Sequence, residues 1–294
     1  MSEATLPSAP AGEAGMTIRA AFLRHLRGNF WVYLLLLAGG VLMMAPFAWM
    51  VSTALKPPAD QFTRDLLPRT VTLENFFTAW QRMEFHHLMW NSARIAALST
   101  IGQLVTCSMG AFVFAVVKFP GRDILFMLLL ATLMLPYQMT VIPQFVIFSW
   151  LGLYGTDVPL WLPSFLGGAF GVFLLRQYFR TIPVDLMEAA RLDGASLFRV
   201  YWSIYLPLAR PALAALALFA FMNSWNDLFS AMIYLPSNLQ TTTLPVGLSL
   251  FQRLYRAQWA VMMAAVVISI SPIVVAFFFA QKQFIQGIAT SGLK

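Results

Sequence analysis

Six apolar runs dominate this sequence and limit what the chain can fold into. Each is about twenty residues or longer, which is enough for an α-helix to cross the roughly 30 Å hydrocarbon layer of a bilayer. They lie near residues 30–54, 92–117, 123–149, 159–179, 211–235 and 260–280. Only 11% of the residues are charged, whereas a soluble domain carries about a quarter. The sequence therefore predicts an all-α integral membrane protein with six transmembrane helices.

The N-terminal region differs from the rest. Residues 1–28 are small and polar, with three arginines near their end, which is typical of a disordered start followed by a basic cytoplasmic arm. A cleaved signal peptide is the alternative. However, the apolar run that begins at Phe30 is longer than the roughly 7–15 residues of a signal-peptide core. We therefore expect a retained first span and a six-span domain over residues 29–294.

The distribution of basic residues predicts the orientation. If the N-terminus lies inside, the cytoplasmic segments hold most of the 19 lysines and arginines, and the short outer segment 150–158 holds none. Cytoplasmic loops of membrane proteins carry such an excess. We therefore predict that both termini are cytoplasmic. Residues 180–210 then lie in the cytoplasm, and segments 56–91 and 236–259 lie outside.

The sequence lacks the residues that several classes of protein need. The single cysteine, Cys107, cannot form an internal disulfide, and the three histidines have no zinc or haem spacing. No G-x-x-x-x-G-K-[ST] phosphate loop occurs, so the chain cannot bind ATP in that way by itself. The net charge of +7 is spread between the apolar runs, as membrane topology requires. We expect no enzyme activity, no metal, no cofactor and no nucleic-acid partner in this chain.

A self-contained ion-coupled carrier or an intramembrane enzyme is the alternative class. A proton-coupled carrier uses several ionisable residues inside the membrane, and here only Asp227 lies well inside an apolar run. An intramembrane hydrolase needs a Ser/His or paired-Asp arrangement within its spans, and no histidine lies in one. Both features weigh against this class.

Prolines and glycines interrupt several apolar runs. In lipid, a proline is tolerated where neighbouring helices satisfy the carbonyl groups that it leaves free. Gly167 and Gly171 form a G-x-x-x-G pattern that allows a close helix approach, either within the chain or at a dimer interface. The prolines inside predicted spans are Pro46, Pro136, Pro143, Pro163 and Pro272.

Residues 183–207 form a polar interruption between the fourth and fifth apolar runs. Pro183 suits the start of a helix, and Glu188 near that end complements the helix dipole. Gly194 is a natural C-terminal stop, and Ser196 can cap a second, amphipathic helix. From these residues alone, the stretch is either an interfacial amphipathic connector or a rigid docking surface for a soluble partner.

The same stretch resembles the EAA motif of permease subunits of bacterial ABC importers. The motif is carried by Glu188-Ala189-Ala190, three residues, Gly194, nine residues, and then Ile204-x-Leu206-Pro207. The chain is also similar to the carbohydrate branch of this family, which includes the smaller maltose permease subunit. The residues that carry this similarity are 174–177, 182–183, 193–196, 224–227, 243–248 and 281–287. The resemblance covers about residues 30–294.

This resemblance implies a MetI-like ABC importer permease fold with a cytoplasmic coupling helix between spans four and five. It implies a second permease subunit in a heterodimer, two ATP-binding subunits that hold ATP and Mg²⁺, and an extracytoplasmic solute-binding protein. The implied location is the bacterial cytoplasmic (inner) membrane, in contact with lipid. The residues implied in ATPase coupling are Glu188, Ala189, Ala190, Asp193, Gly194, Ile204, Leu206 and Pro207.

The implied cargo is a sugar or oligosaccharide, and glycerol phosphate, a polyol or another small solute is the alternative. Candidate residues for the translocation path are polar or aromatic groups inside the apolar runs. Around Asp227, an aromatic ring and amide groups offer the stacking and hydrogen bonds that sugars use. The same groups could instead hydrogen-bond within the helix bundle. The candidates are Tyr137, Gln138, Gln144, Asn223, Trp225, Asn226 and Asp227.

Overall fold

The computed structural model describes residues 29–236, 238–254 and 258–291, so the N-terminal arm 1–28 falls outside the described residues. All regular structure within them is helical. The chain divides into two compact units, residues 1–52 and 53–294. The described part of the first unit belongs to a single helix, α1 (Phe30–Ala54), which contains Pro46. This helix matches the first predicted span.

The segment after α1 is ordered around buried polar groups. The buried Lys56 ammonium donates hydrogen bonds to the carbonyls of Thr63 (3.1 Å) and Asp65 (2.7 Å). The buried Asn75 amide donates to the carbonyls of Ala54 (2.8 Å) and Lys56 (2.7 Å). Asn75 lies in helix α2 (Glu74–Arg82). Because buried donors are costly unless paired, these contacts hold α2 against the chain that follows α1.

Helix α3 (Phe85–Val116) is 32 residues long, and it begins several residues before the predicted second span. It packs against the helices of the fourth and fifth predicted spans. Near its N-terminal end, the Asn91 amide donates to the carbonyls of Gln240 and Thr242 at 3.0 Å. The Ser92 hydroxyl accepts the Leu244 N–H at 2.8 Å. These bonds attach the segment before α13 (Leu244–Leu254) to α3.

The third predicted span is not one straight helix. Helix α4 (Arg122–Ala131) continues as a 3₁₀ turn to Met134, and helix α5 (Tyr137–Trp150) follows at an angle of 98°. The bend lies at Leu135-Pro136, where Leu135 is extended. A proline disfavours the helical conformation of the residue before it, so Pro136 breaks the span. Pro143 instead lies inside α5, which continues through it.

The fourth predicted span is formed by α6 (Val158–Trp161), a 3₁₀ segment that contains Pro163, and α7 (Ala169–Phe179). A Cβ atom placed on Gly171 would lie 2.7 Å from the Cys107 sulfur of α3. The glycine therefore permits close packing of α7 on α3, which is the within-chain use of the G-x-x-x-G pattern.

The remaining helices follow the polar interruption. They are α8 (Val184–Leu192), α9 (Leu197–Val200), a π-helical segment Tyr201–Tyr205, α10 (Leu206–Leu208), α11 (Arg210–Trp225), α12 (Phe229–Tyr234), α13, and α14 (Trp259–Ser291). A bend of 79° separates the 197–208 segment from α11. The fifth predicted span, 211–235, is interrupted between α11 and α12. Asn226 and Asp227 lie at this interruption.

In the described part of the chain, four helical stretches are long and apolar enough to cross a membrane. They are Phe30–Ala54, Phe85–Val116, Val158–Phe179 and Trp259–Gln281. The number rises to six if each of the two bent pairs counts as one crossing. The structure thus establishes an all-helical chain with four to six candidate spans, and the six-span topology with both termini inside stays a prediction.

Candidate functional site

Helix α8 lies where the sequence predicts a short rigid helix. Pro183 immediately precedes it, and Asp185 lies in its first turn. At its other end, Gly194 has a φ of +78°, the left-handed conformation that glycine adopts without strain. The Gly194 N–H donates to the Arg191 carbonyl, and the Ala195 N–H donates to the Ala190 carbonyl at 2.9 Å. This pair of bonds is a Schellman motif, which ends the helix sharply.

The surface of α8 is open. No residue of the helix is buried, and Leu192 has 90% of its surface exposed. Glu188 and Ala189 are exposed, whereas Met187 and Ala190 pack against the edge of the hydrophobic core. The helix therefore presents three charged residues, the small Ala189 and two exposed leucines to its surroundings, with a narrow inner face attached to the bundle.

The residues after Gly194 behave differently. The Ser196 hydroxyl accepts the Arg199 N–H at 3.3 Å and so caps α9, as predicted from the sequence. Tyr201 is buried, and its hydroxyl lies 2.7 Å from the Ser108 hydroxyl of α3. Tyr205, only 3% exposed, packs edge-to-face against Phe112 of α3 and Phe179 of α7. These contacts anchor the second half of the motif to two long helices.

The coupling segment, which we define as residues 184–208, is thus an exposed helix joined to an anchored one. Among the motif residues that follow Gly194, Ile204 and Leu206 are half-buried against the core, and Pro207 is exposed. Residues 201–205 are π-helical, a rare geometry found frequently at functional sites. A Schellman turn joins α8 to this segment, and packed aromatic side chains attach the segment to α3 and α7.

A second feature is a cleft of about 950 Å³ between α5, the α6 region and the break after α11. Its polar lining includes Tyr137, Gln144, Asn223, Asn226 and Asp227. The ring of Phe229 meets that of Tyr137 edge-to-face at 6.0 Å. The cleft therefore combines amide, carboxylate and phenol groups with an aromatic wall, which is suited to a hydroxylated solute.

The cleft lies beside two interruptions of the helices. Helix α5 begins at Tyr137 after the Pro136 bend, and residues 226–228 separate α11 from α12. Non-helical backbone at membrane depth is tolerated only where it is buried in protein or lines a watery cavity. The Asp227 carboxylate accepts the Ser230 N–H at 3.0 Å and stabilises the start of α12. Asn226 donates to the Met222 carbonyl at 2.8 Å.

Not every candidate from the sequence reaches the cleft. Trp225 is 3% exposed and belongs to the hydrophobic core, where its indole N–H donates to the Ser269 carbonyl at 3.2 Å. Gln138 is exposed and is not among the residues that line the cleft. Phe229 and Ser230, which do line it, carry no distinguishing sequence signal because apolar and hydroxyl residues are common in membrane helices. They line the cleft because the start of α5 packs against the start of α12, which the sequence does not show.

The described residues contain no group of three or more His, Cys, Asp or Glu side chains that could hold a metal ion.

Residues 104–290 match the model of the binding-protein-dependent transport system inner membrane component family. This match spans more than half of the chain and contains the coupling segment and most of the cleft. The chain belongs to this family. The relatives are transport permeases, so the chain is a helical membrane permease and not an enzyme.

Curated relatives extend the similarity over most of the chain. The probable ABC transporter permease protein YurM of Bacillus subtilis is 33% identical over 90% of this chain and 88% of its own length. The arabinooligosaccharides transport system permease protein AraQ of Halalkalibacterium halodurans is 35% identical over 77% of this chain and 81% of its own length. The family assignment therefore does not depend on the EAA motif alone.

The fold has a solved counterpart. A chain of a bacterial ABC transporter involved in the import of the acidic polysaccharide alginate superposes with a TM-score of 0.76. It is 26% identical, and the match covers 89% of this chain and 98% of that chain. The MetI-like permease fold implied by the sequence resemblance is thereby confirmed.

Proposed function

We propose that this chain is a permease subunit of an ATP-driven importer and forms half of the translocation pathway for a sugar or oligosaccharide. It works with a second permease subunit, two ATP-binding subunits and an extracytoplasmic solute-binding protein in the bacterial cytoplasmic membrane. The observation that carries the proposal is the coupling segment, in which an exposed helix is attached rigidly to α3 and α7.

The energy for transport comes from ATP and Mg²⁺ on the partner subunits, because this chain has no phosphate loop. Helix α8 docks into a cleft of an ATP-binding subunit, where Glu188 faces a basic residue or a helix N-terminus. Ala189 is exposed and small, which lets the two surfaces approach closely. Closure of the ATPase pair then displaces α8. The contacts of Tyr205 with Phe112 of α3 and Phe179 of α7 pass the movement to these membrane helices.

This coupling role predicts the effect of reversing the charge at Glu188. We expect Glu188→Lys to leave the chain folded in the membrane, because Glu188 is exposed. Retention of the ATP-binding subunit on affinity purification should fall roughly tenfold or more, since charge pairs at interfaces contribute several kcal/mol, and ATP-driven uptake should be lost. Gly194→Pro should also abolish uptake, because proline cannot adopt the φ of +78°.

A matched control is Asp60→Lys, which reverses a charge in the turn Pro58–Asp60 before α2. This variant should keep the ATP-binding subunit in normal amounts. Equal retention by the Glu188→Lys and wild-type chains would contradict docking through α8. Uptake by the purified chain alone, without an ATPase, would favour the self-contained carrier instead.

The cargo proposal is supported by the lining of the cleft and by the relatives. AraQ is named for arabinooligosaccharides, and the solved counterpart belongs to an importer of a polysaccharide. The Asn223 and Asn226 amides are exposed in the cleft and can bond sugar hydroxyls, while Tyr137 and Phe229 offer ring surfaces. The cognate binding protein makes the first selection among solutes, and the cleft contacts the solute during passage.

The cleft is tested by uptake in proteoliposomes that contain the complete transporter and its binding protein. Asn223→Ala should lower the rate at limiting sugar concentration by roughly three- to tenfold, which is the effect of losing one hydrogen bond. Gln138→Ala is the control, because Gln138 is an exposed polar residue of the neighbouring helix α5 that does not line the cleft. Equal uptake rates for both variants would show that the cleft is not part of the translocation pathway. A binding protein that selects glycerol phosphate or a polyol would change the cargo class but not the coupling role.

A further inference from the structure

A second, smaller cleft lies where α3 ends and α4 begins. It has a volume of about 370 Å³ and is lined by Lys118, Phe119, Gly121, Arg122, Asp123 and Ile124. It lies outside the coupling segment and shares no lining residue with the cleft beside Tyr137.

The charge around this basic cleft is strongly positive. Lys118 is exposed and Arg122 is half-buried. Arg176 lies near enough to Arg122 and to Arg180 for both guanidinium charges to repel its own. The carboxylate of Asp123 contacts the Arg122 Nε at 3.2 Å and the Arg176 Nη2 at 3.6 Å. One carboxylate therefore contacts two cations, and Lys118 adds a third positive charge to the cleft, which leaves an attraction for an added anion.

Arg176 is fixed in place beneath this cleft. Its Nε donates to the Phe114 carbonyl at 3.1 Å, and its guanidinium carbon lies 3.9 Å from the centre of the Phe126 ring. The side chain is buried. A guanidinium held by a carbonyl, a ring and a carboxylate is already ordered, so little conformational entropy is lost when it attracts an anion.

The start of α4 adds donors to the same place. No side chain caps the helix at Gly121, which precedes Arg122. The first N–H groups of an α-helix have no partner within the helix, and the N-terminal end of the helix dipole favours negative charge. Together with Lys118, Arg122 and Arg176, these groups are suited to the oxygens of a phosphate.

An apolar surface continues from the cleft along α4. Ile124, at the edge of the cleft, is 62% exposed, and Leu125 and Leu128 of the same helix are also exposed. A soluble phosphate has no apolar group that could contact this surface. A phospholipid can contact it, because its acyl chains can lie along α4 while its headgroup occupies the basic cleft.

We propose that the basic cleft between α3 and α4 binds the phosphate headgroup of an anionic phospholipid. Lys118 and Arg122 contact the phosphate, and Arg176 holds the local potential positive. Basic pockets between membrane helices recognise anionic headgroups in this way. In the predicted orientation the site lies in the cytoplasmic leaflet, and it does not depend on the identity of the cargo.

The site is tested by native mass spectrometry of the purified full-length chain titrated with phosphatidylglycerol or phosphatidylcholine. We expect one tightly bound phosphatidylglycerol and no tightly bound phosphatidylcholine. The double variant Lys118→Gln/Arg122→Gln should bind phosphatidylglycerol roughly thirty-fold more weakly, since each basic residue near an anionic lipid contributes about a fivefold factor in affinity. Neither residue is buried, so the variant should keep its fold.

The matched control is Arg64→Gln/Arg69→Gln, which removes the same charge from exposed residues before α2. It should retain the bound lipid. Equal lipid binding by both double variants would overturn the proposal, because general electrostatic attraction would then explain the binding. Displacement of phosphatidylglycerol by an equal concentration of inorganic phosphate would also overturn it, because the site would then take a soluble anion.

Discussion

The helix before Gly194 and the segment after it are neighbours in the sequence, yet they meet different surroundings. Helix α8 has no buried residue, and Leu192 at its end is almost fully exposed. The following segment inserts Val200, Tyr201 and Tyr205 into the hydrophobic core. The motif thus combines a surface that is free to meet a partner with an anchor that belongs to the membrane domain.

In the proposed coupling role, this difference is what lets one short stretch transmit movement. A docking helix that was buried could not reach a partner, and a helix that was only exposed would move without displacing anything else. The hydrogen-bonded Schellman turn at Gly194 joins the two parts with little conformational freedom. Substitutions on the two sides should therefore separate stability from partner binding.

The largest effect on stability is expected at the anchor. Tyr205→Ala removes a ring packed edge-to-face against Phe112 and Phe179. We expect the free energy of unfolding to fall by about 3–5 kcal/mol, as for other large aromatic truncations in a core. Unfolding in detergent micelles measures it. Trp202→Ala, in the same π-helical segment but at an exposed ring, should cost less than about 1 kcal/mol. Similar losses for both would mean that the anchor is not specific to Tyr205.

A smaller effect is expected at the junction. Gly194→Ala should lower the free energy of unfolding by about 1–2 kcal/mol, because a Cβ atom is unfavourable in the left-handed conformation, although the site has free space for it. Gly194→Asn should cost less, since asparagine tolerates this conformation.

Gly155→Ala provides the matched control for the junction, because Gly155 has a φ of +82° and similar free space. It should lower stability to the same extent but leave ATP-driven uptake intact. If Gly155→Ala and Gly194→Ala reduce uptake equally, the loss reflects stability alone and the junction has no special role in coupling.

The smallest effect on stability is expected on the docking surface. Leu192→Ala should change the free energy of unfolding by less than about 0.5 kcal/mol, because the side chain buries little surface. Retention of the ATP-binding subunit should nevertheless fall by roughly fivefold, which is the scale of an interface residue whose truncation costs about 1 kcal/mol. A loss of stability with unchanged retention would show that Leu192 packs within the chain and would remove the contrast between the two helices.

The sequence predicted the coupling segment well because local rules control it. Pro183, Gly194 and Ser196 act through their own backbone or through residues three positions away, and the structure shows a helix boundary at each of them. The cleft was predicted less well. Tyr137, Asn226 and Asp227 line it, but Trp225 is buried elsewhere and Gln138 is not part of its lining. Side-chain chemistry does not reveal which face of a helix meets a cavity.

The sequence by itself determined the helical membrane character of the chain, its family and the bounds of the exposed helix α8. These depend on the length of apolar runs, on residue spacing and on local helix caps. Only the tertiary structure decided the 98° angle of the bend in the third span, the contacts of Tyr201 and Tyr205 with α3 and α7, and the contact of Arg176 with Asp123. Such contacts join residues that are dozens of positions apart, so they depend on how the helices pack together.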